Sequence, residues 1–478
     1  MTKSKSFAAV DLGASSGRVI VGRISQEKIE YQEIHRFLNG PIIRDDGIYW
    51  DIESLRSDVF EGLGKIAGEE ILSIGVDAWA VDYGLLGQDG SLTRDPRHYR
   101  DERNLRGVEI VRSKLSPSEL YKKAGLQFLS FNTLYQMSVD QEEQPGLLEK
   151  SEKALLIPDL FNFWLSGVKV TECTNASTTG LLELIGNNWN TELIQQLGLQ
   201  RRLLADVVAE GTYLGPITAE VQIKTGLHPL TKVVTVGSHD TASAFVAVPS
   251  TKPNSLFVSS GTWSLLGVEL ERPILSEAAR IANFTNERGV DGRVRFLKNV
   301  TGLWLLQECT RIWREAGKTY LMAELIKSAS GIPKNSVIDV NDDKFLTPGD
   351  MPSRIRQACL ETGQAVPQTD LEIVRVIFDS LAAKYLDVIG ELEELTQNKI
   401  ERIHIVGGGS QNELLNQLIS NATGLEVFAG PVEATAIGNL VVQARAAGVI
   451  KGTLEEARSI IARSFDIKRF SPISLGEK

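Results

Sequence analysis

Apolar positions at the start of the chain fall in short runs, not at helical spacing. Residues 7–10 and 19–21 form two apolar arms around a small polar turn at 14–17, which predicts a β-hairpin, and a third strand follows near 29–34. The pattern then changes period. Over 52–67, Leu55, Val59, Phe60, Leu63 and Ile66 share one helical face. Residues 71–76 read as a buried strand that runs into Asp77, Ala78, Trp79, Ala80, Val81, Asp82 and Tyr83. Helices are predicted over 116–124 and 142–167, and 171–179 is a hydroxyl-rich loop around Asn175. The β-branched run 231–237 predicts a strand that delivers Ser238, His239, Asp240, Thr241, Ala242 and Ser243 into a helix starting near 242–248. A Pro/Ser-rich break at 249–255 precedes a second strand–turn–strand unit at 256–268, laid out like the first.

The second half follows the same grammar. Asn299, Leu303, Trp304, Leu306, Gln307 and Thr310 fall on adjoining positions of a predicted helix over 299–310. The stripe Val374, Ile377, Phe378, Leu381, Tyr385, Val388, Ile389, Leu392 and Leu395 predicts a long packing helix over 373–395. A strand at 402–406 ends in Gly407, Gly408 and Gly409 before a helix at 413–420; a strand at 425–428 enters a small-residue helix start over 430–439. Strands alternating with helices, opened in each half by a hairpin, predict an α/β protein of two related domains, 1–248 and 249–478.

The 478 residues are too many for one core, which agrees with two domains. A net charge of −10 argues against a nucleic-acid surface. Three scattered cysteines and five histidines give no zinc spacing, and a reducing, cytoplasmic setting is expected. No run approaches the roughly 20 apolar residues of a membrane span.

Chemistry concentrates at strand ends. The small turn Ala14, Ser15, Ser16 and Gly17 lets backbone N–H groups approach an anion, Arg18 adds a positive charge, and Asp11 stands where a cation or its water shell would lie. Asp77 and Asp82 are acidic groups in a strand that reads as buried, where an unpaired carboxylate is costly. The charge-dense stretch 97–104 reads first as a solvated loop. Asp240, at a strand–helix junction, reads first as a helix N-cap and second as a rigidly held general base. Three successive glycines leave either a flexible turn or a flat surface for a ligand.

Taken together, these blocks resemble the FGGY carbohydrate kinases of the actin–hexokinase–chaperone ATPase superfamily. The resemblance is carried by Val10-Asp11-Leu12-Gly13-Ala14-Ser15-Ser16-Gly17-Arg18, by Ser238-His239-Asp240-Thr241-Ala242-Ser243, by Ser259-Ser260-Gly261-Thr262-Trp263-Ser264-Leu265, and by the segments 33–37, 131–136, 302–307 and 404–409. It implies two ribonuclease H-like domains with an active-site cleft between them, and transfer of the ATP γ-phosphoryl group to O1 of L-rhamnulose. By position, Asp240 would accept the sugar proton. Ala14, Ser15, Ser16, Gly17, Arg18, Thr262, Gln307 and Gly408 would hold ATP. Ala80, His239, Thr241 and Asn299 would contact the sugar, and Asp11 would orient Mg²⁺. The family pattern has glycine at the position of Ala80, so L-fuculose, L-xylulose or another polyol are alternative acceptors. A sugar-independent ATPase switch is the rival of a different class. A monomer or homodimer is expected.

Overall fold

The computed structural model describes residues 4–473. The chain divides into two compact units. The first comprises 4–247 with 269–296 and 434–464; the second comprises 248–268, 297–433 and 465–473. Neither unit is continuous in sequence: the helix Ala434–Ala446 returns to the first unit from the far end of the chain.

The first unit is built on a six-stranded sheet. Its order is Tyr213–Pro216, Lys232–Val234, Ile71–Ala78, Lys5–Leu12, Ser16–Ile24 and Ile29–Leu38. The central strands Lys5–Leu12, Ile71–Ala78 and Lys232–Val234 run parallel, and the flanking pairs are antiparallel. Parallel strands buried on both faces need continuous apolar runs, and Phe7, Ala8, Ala9 and Val10 are all fully buried. The helix Ile52–Gly64 starts where the Asp51 carboxylate accepts the Ser54 N–H and lays Leu55, Val59 and Leu63 on the sheet.

The second unit repeats this plan. Its sheet contains, in order, Val294–Thr301, Trp263–Leu270, Ser255–Ser260, Arg402–Val406, Glu426–Ala429 and Lys468–Phe470. Again an antiparallel hairpin is followed by parallel neighbours and an antiparallel edge. The long helix Asp370–Thr396 opens with a Thr369/Glu372 capping box and buries the predicted stripe except for a half-buried Leu395.

Three expectations are corrected. Residues 142–167 form two short helices, Pro145–Lys150 and Ile157–Ser166, separated by the strand Lys153–Leu156. Pro145 and Pro158 each sit in a first helical turn, where a missing N–H costs nothing, so each restarts a helix. The run 231–237 pairs as a strand only over Lys232–Val234. Asn299 lies on the strand Val294–Thr301 and not on a helix; Gly302 and Leu303 intervene before the helix Trp304–Glu315. No helix among the described residues is long and apolar enough to cross a membrane.

Candidate active site

In the first unit the two central strands end side by side, with Asp11 and Asp77 directly paired in the ladder. Asp11 accepts a hydrogen bond from Arg18 Nε at 2.8 Å, so the guanidinium expected to serve phosphates is also engaged by this carboxylate. Asp77 is fully buried. Its Oδ2 accepts from Asn439 Nδ2 at 2.6 Å, while its Oδ1 has no partner. Burial, reinforced by the Asp11 and Asp240 charges, pushes the Asp77 carboxyl well above the usual range. Asp11, Asp77 and Asp240 thus bring three carboxyl groups to one sheet end, and the mutual repulsion favours the protonated form of Asp77. Asp11 and the orphaned Asp77 oxygen beside it are hard oxygen donors of the kind a divalent cation takes, without forming a closed three-carboxylate cage with Asp240.

The turn after Asp11 is tighter than predicted. Gly13 N–H donates to Ser16 O at 2.9 Å, and Ser16, Gly17 and Arg18 already belong to the second strand. Asn39 laces the turn, donating from Nδ2 to Gly13 O at 2.8 Å and from its backbone to Ser15 O at 3.1 Å. Gly17 is required by packing: a Cβ there would lie 2.2 Å from the Phe37 ring. Ser15 is exposed, and Ala14, Ser16 and Arg18 are half-buried.

The Asp240 junction is held from below. Glu172, a buried residue with no local sequence signal, accepts from Ser238 Oγ at 2.6 Å and from Ser238 N at 3.1 Å. It also accepts from Thr174, so the hydroxyl-rich loop anchors the strand end that carries His239 and Asp240. Ala78 N–H donates to Ser238 O at 2.9 Å. The helix Asp240–Val246 begins at Asp240, and its N-cap is His239 with no side-chain cap bond. Asp240 is thus not the N-cap that its motif predicts: its carboxylate accepts from Thr241 N–H at 2.6 Å and Thr241 Oγ1 at 3.1 Å, leaving 32% of the side chain exposed. Enclosure raises its pKa, partly offset by His239.

His239 Nε2 lies 3.4 Å from Asp240 Oδ1. Its Nδ1 lies 3.2 Å from Glu287 Oε2 and 3.1 Å from an Arg295 terminal nitrogen. Arg295 has no exposed side-chain surface and is 3.1 Å from Glu287. Burial would raise the Glu287 carboxyl, but Arg295 and His239 hold it below its usual range. Neither Glu287 nor Arg295 carries a local sequence signal, since their meaning comes from meeting the distant His239.

Ala80 is half-buried in the turn after Ile71–Ala78, between Trp79 and Val81, which are both buried. The stretch 97–104 is not the solvated loop its charges predict. Arg97, His98, Tyr99, Asp101 and Asn104 are buried because Arg97 pairs with Asp101 at 3.0 Å and His98 packs between Trp50 and Tyr99. Burial drops the His98 pKa to about 3, so the ring is neutral.

In the second unit, three distant segments meet at one turn. Thr262 Oγ1 donates to Gln307 Oε1 at 3.2 Å. The backbone of 302–304 is stitched to the turn through Gly302 N–H to Thr262 O and Leu303 N–H to Gly261 O, at 3.1 and 2.9 Å. A Cβ on Gly302 would lie 2.7 Å from Gly261 O. The glycine triplet divides its labour. Gly407 has φ +83, a Cβ on Gly409 would sit 2.0 Å from Ser260 Oγ, and a Cβ on Gly408 would meet nothing within 4 Å. Two glycines therefore serve geometry and packing, and only Gly408 presents an open face. Asn299 is half-buried on its strand in this unit.

Comparison with known proteins agrees along the whole chain. Residues 7–247 match the N-terminal domain, and 256–447 the C-terminal domain, of the FGGY family of carbohydrate kinases. A rhamnulokinase of Bacteroides thetaiotaomicron is 42% identical over 470 residues, covering 98% of this chain and 96% of its own. Rhamnulokinases of Bacillus subtilis and Pectobacterium atrosepticum are 41% and 44% identical, covering 98% of this chain and 95% and 93% of theirs. In fold, a gluconate kinase of Lactobacillus acidophilus superposes with a TM-score of 0.78 at 16% identity, and Plasmodium falciparum glycerol kinase with ADP at 0.75 and 12%, each covering 98% of this chain and 94% of the other. The chain belongs to the FGGY family of carbohydrate kinases and is an ATP-dependent sugar kinase.

Proposed function

We propose that this kinase transfers the γ-phosphoryl group of ATP to O1 of L-rhamnulose, giving L-rhamnulose 1-phosphate and ADP. The observation that carries the reading is full-length similarity to rhamnulokinases at 41–44% identity, joined to an open carboxylate, Asp240, at a rigid strand–helix junction. Asp240 accepts the O1 proton as the oxygen attacks the γ-phosphorus, and the bond to the β–γ bridging oxygen breaks to release ADP. His239, Thr241, Ala80 and Asn299 contact the sugar. Ala14, Ser15, Ser16 and Arg18 serve the phosphates, Gly17 allows their turn to pack, and Thr262, Gln307 and Gly408 serve the rest of the nucleotide.

Phosphoryl transfer depends on neutralising charge and aligning the reacting oxygens. Asp11, with Asp77 beside it, would hold Mg²⁺, which neutralises phosphate charge when bound. Burial raises the proton affinity of Asp240, so it is a stronger base than a solvated aspartate. A protein of this kind is expected in the cytoplasm. A coupled ADP-release assay across L-rhamnulose, L-fuculose, L-xylulose and glycerol tests the proposal. The highest kcat/KM on L-rhamnulose supports it, a higher value on another acceptor refutes the substrate, and hydrolysis indifferent to any sugar refutes the class of reaction.

A further inference from the structure

The turn that carries Ala80 is held in a costly shape. Val81 has φ +70, a conformation that a β-branched residue strongly disfavours. Three ties keep it there. Asp82 N–H donates to Ala80 O at 2.9 Å, closing the chain across Val81. Val81 O accepts from Thr133 Oγ1 at 2.6 Å. Gln136 Nε2 reaches the same carbonyl at 3.4 Å and also donates to Asp82 Oδ1 at 2.8 Å.

Asp82 is the shared acceptor for donors from Trp50, Trp79, Tyr99 and Gln136. It is fully buried, and its Oδ2 accepts from Trp50 Nε1 at 2.6 Å, Trp79 Nε1 at 3.1 Å and Tyr99 N at 3.1 Å. With Gln136, four N–H donors from separate stretches of chain converge on one carboxylate, and none of them is charged. Trp50, Trp79 and Tyr99 belong to a chain of ring contacts: Trp50–Trp79 at 4.1 Å and Trp50–His98 at 4.2 Å are tilted, His98–Tyr99 at 4.6 Å is stacked, and Tyr99–Phe131 at 5.3 Å meets edge-on. A buried carboxylate without a cation is a poor way to stabilise a core, since apolar residues of similar volume commonly do as well or better. What it does supply is direction: it fixes two indoles, a backbone amide and a strained turn in one arrangement.

We propose that Asp82 is the positioning residue of the sugar pocket, clamping the strained Val81 turn and the Trp50–Trp79 pair so that the Ala80 backbone and methyl face the ketose in one orientation. The inference rests on the assignment of Ala80 to the sugar site. Asp82 does not touch the substrate. It sets the shape that the substrate meets, and so governs recognition of the sugar and leaves recognition of ATP alone.

The test compares the parent with Asp82→Asn and Val81→Gly, measuring kcat, KM for the ketose the parent phosphorylates best, KM for ATP, and the melting temperature. The Asp82→Asn change keeps the volume but replaces one acceptor oxygen with an N–H that faces the converging donors, and a roughly tenfold rise in ketose KM is expected, with ATP KM within about twofold. Glycine adopts φ +70 freely, so in Val81→Gly relief of strain offsets part of the stability lost with the buried Val81 side chain while the turn loosens, and ketose KM should again rise severalfold. If Asp82→Asn does not fold, Val81→Gly decides alone. Ketose KM within about twofold of the parent in the folded variants, or an equal rise in ATP KM, overturns the proposal. If the parent prefers a ketose other than L-rhamnulose, the substrate assignment fails, and the comparison on that ketose still tests Asp82.

Discussion

Gly438 offers a test in which two physical effects predict opposite signs. It lies inside the helix Ala434–Ala446, which packs on the helix Asp240–Val246 in the first unit. Helix propensity alone says that Gly438→Ala stabilises by about 1 kcal/mol. Packing says otherwise, because a Cβ at Gly438 would sit 1.8 Å from Ser243 O and 2.6 Å from its carbonyl carbon. Ordinary contact begins near 3.4 Å, so the two backbones must part by roughly 1.6 Å (3.4 less 1.8). Ser243 cannot yield freely, as its hydroxyl donates to Gly237 O at 2.7 Å and Ser238 is held by Glu172. Overpacking of this kind costs about 1–3 kcal/mol, which outweighs the propensity gain. The same displacement moves Asp240 at the head of its helix, and a shift of about 1 Å at a reacting group can cost about 10²-fold in rate. Urea denaturation and the coupled ADP assay should therefore show lower stability together with a kcat reduced by one to two orders of magnitude. A variant as stable as the parent, or more so, with kcat within about threefold, would refute the claim that this helix contact positions the base.

Asp240→Asn should still bind ADP and sugar by calorimetry while kcat falls by about 10²–10⁴-fold; turnover near the parent's would remove Asp240 from its role. Gly408→Ala should leave the melting temperature unchanged, since its Cβ meets open space, and raise the KM for ATP, whereas Gly409→Ala should lower the melting temperature through its collision with Ser260. Glu287→Gln should lower kcat by about tenfold with little effect on the KM for ATP, as His239 loses a charged partner at 3.2 Å; unchanged kcat would make Glu287 purely structural. Burial raises the Asp82 pKa from 3.8 to about 7. A raised folded-state pKa favours the protonated form, so the stability this group contributes is full below about pH 4 and is lost as pH climbs through about 7, by about 4 kcal/mol for three units. Denaturation curves from about pH 4 to about pH 8 should show a shallower decline in Asp82→Asn than in the parent, and parallel curves would contradict the assignment.

Much of this protein could be read from the chain itself, because its architecture is written in local patterns. Apolar runs mark the strands 5–12 and 71–78, the stripe on Asp370–Thr396 marks the long helix, and the echo of one hairpin in another points to two like-built units. The motif around Asp240 was visible for the same reason, since a strand end and a helix start are local events. What the tertiary structure decided was everything that depends on distant partners. The charged stretch 97–104 reads as solvated because charge predicts water, yet Arg97, His98, Asp101 and Asn104 are buried in it, since Asp101 and the rings of Trp50 and Tyr99 offer side chains partners inside. Glu172, Glu287, Arg295 and Asn439 acquired meaning only where other segments met them. The glycine triplet looked uniform until Ser260 came to lie beneath Gly407 and Gly409 and left Gly408 open. Hydrophobic period is encoded along the chain, whereas the satisfaction of a buried polar group is a property of the space that folding encloses.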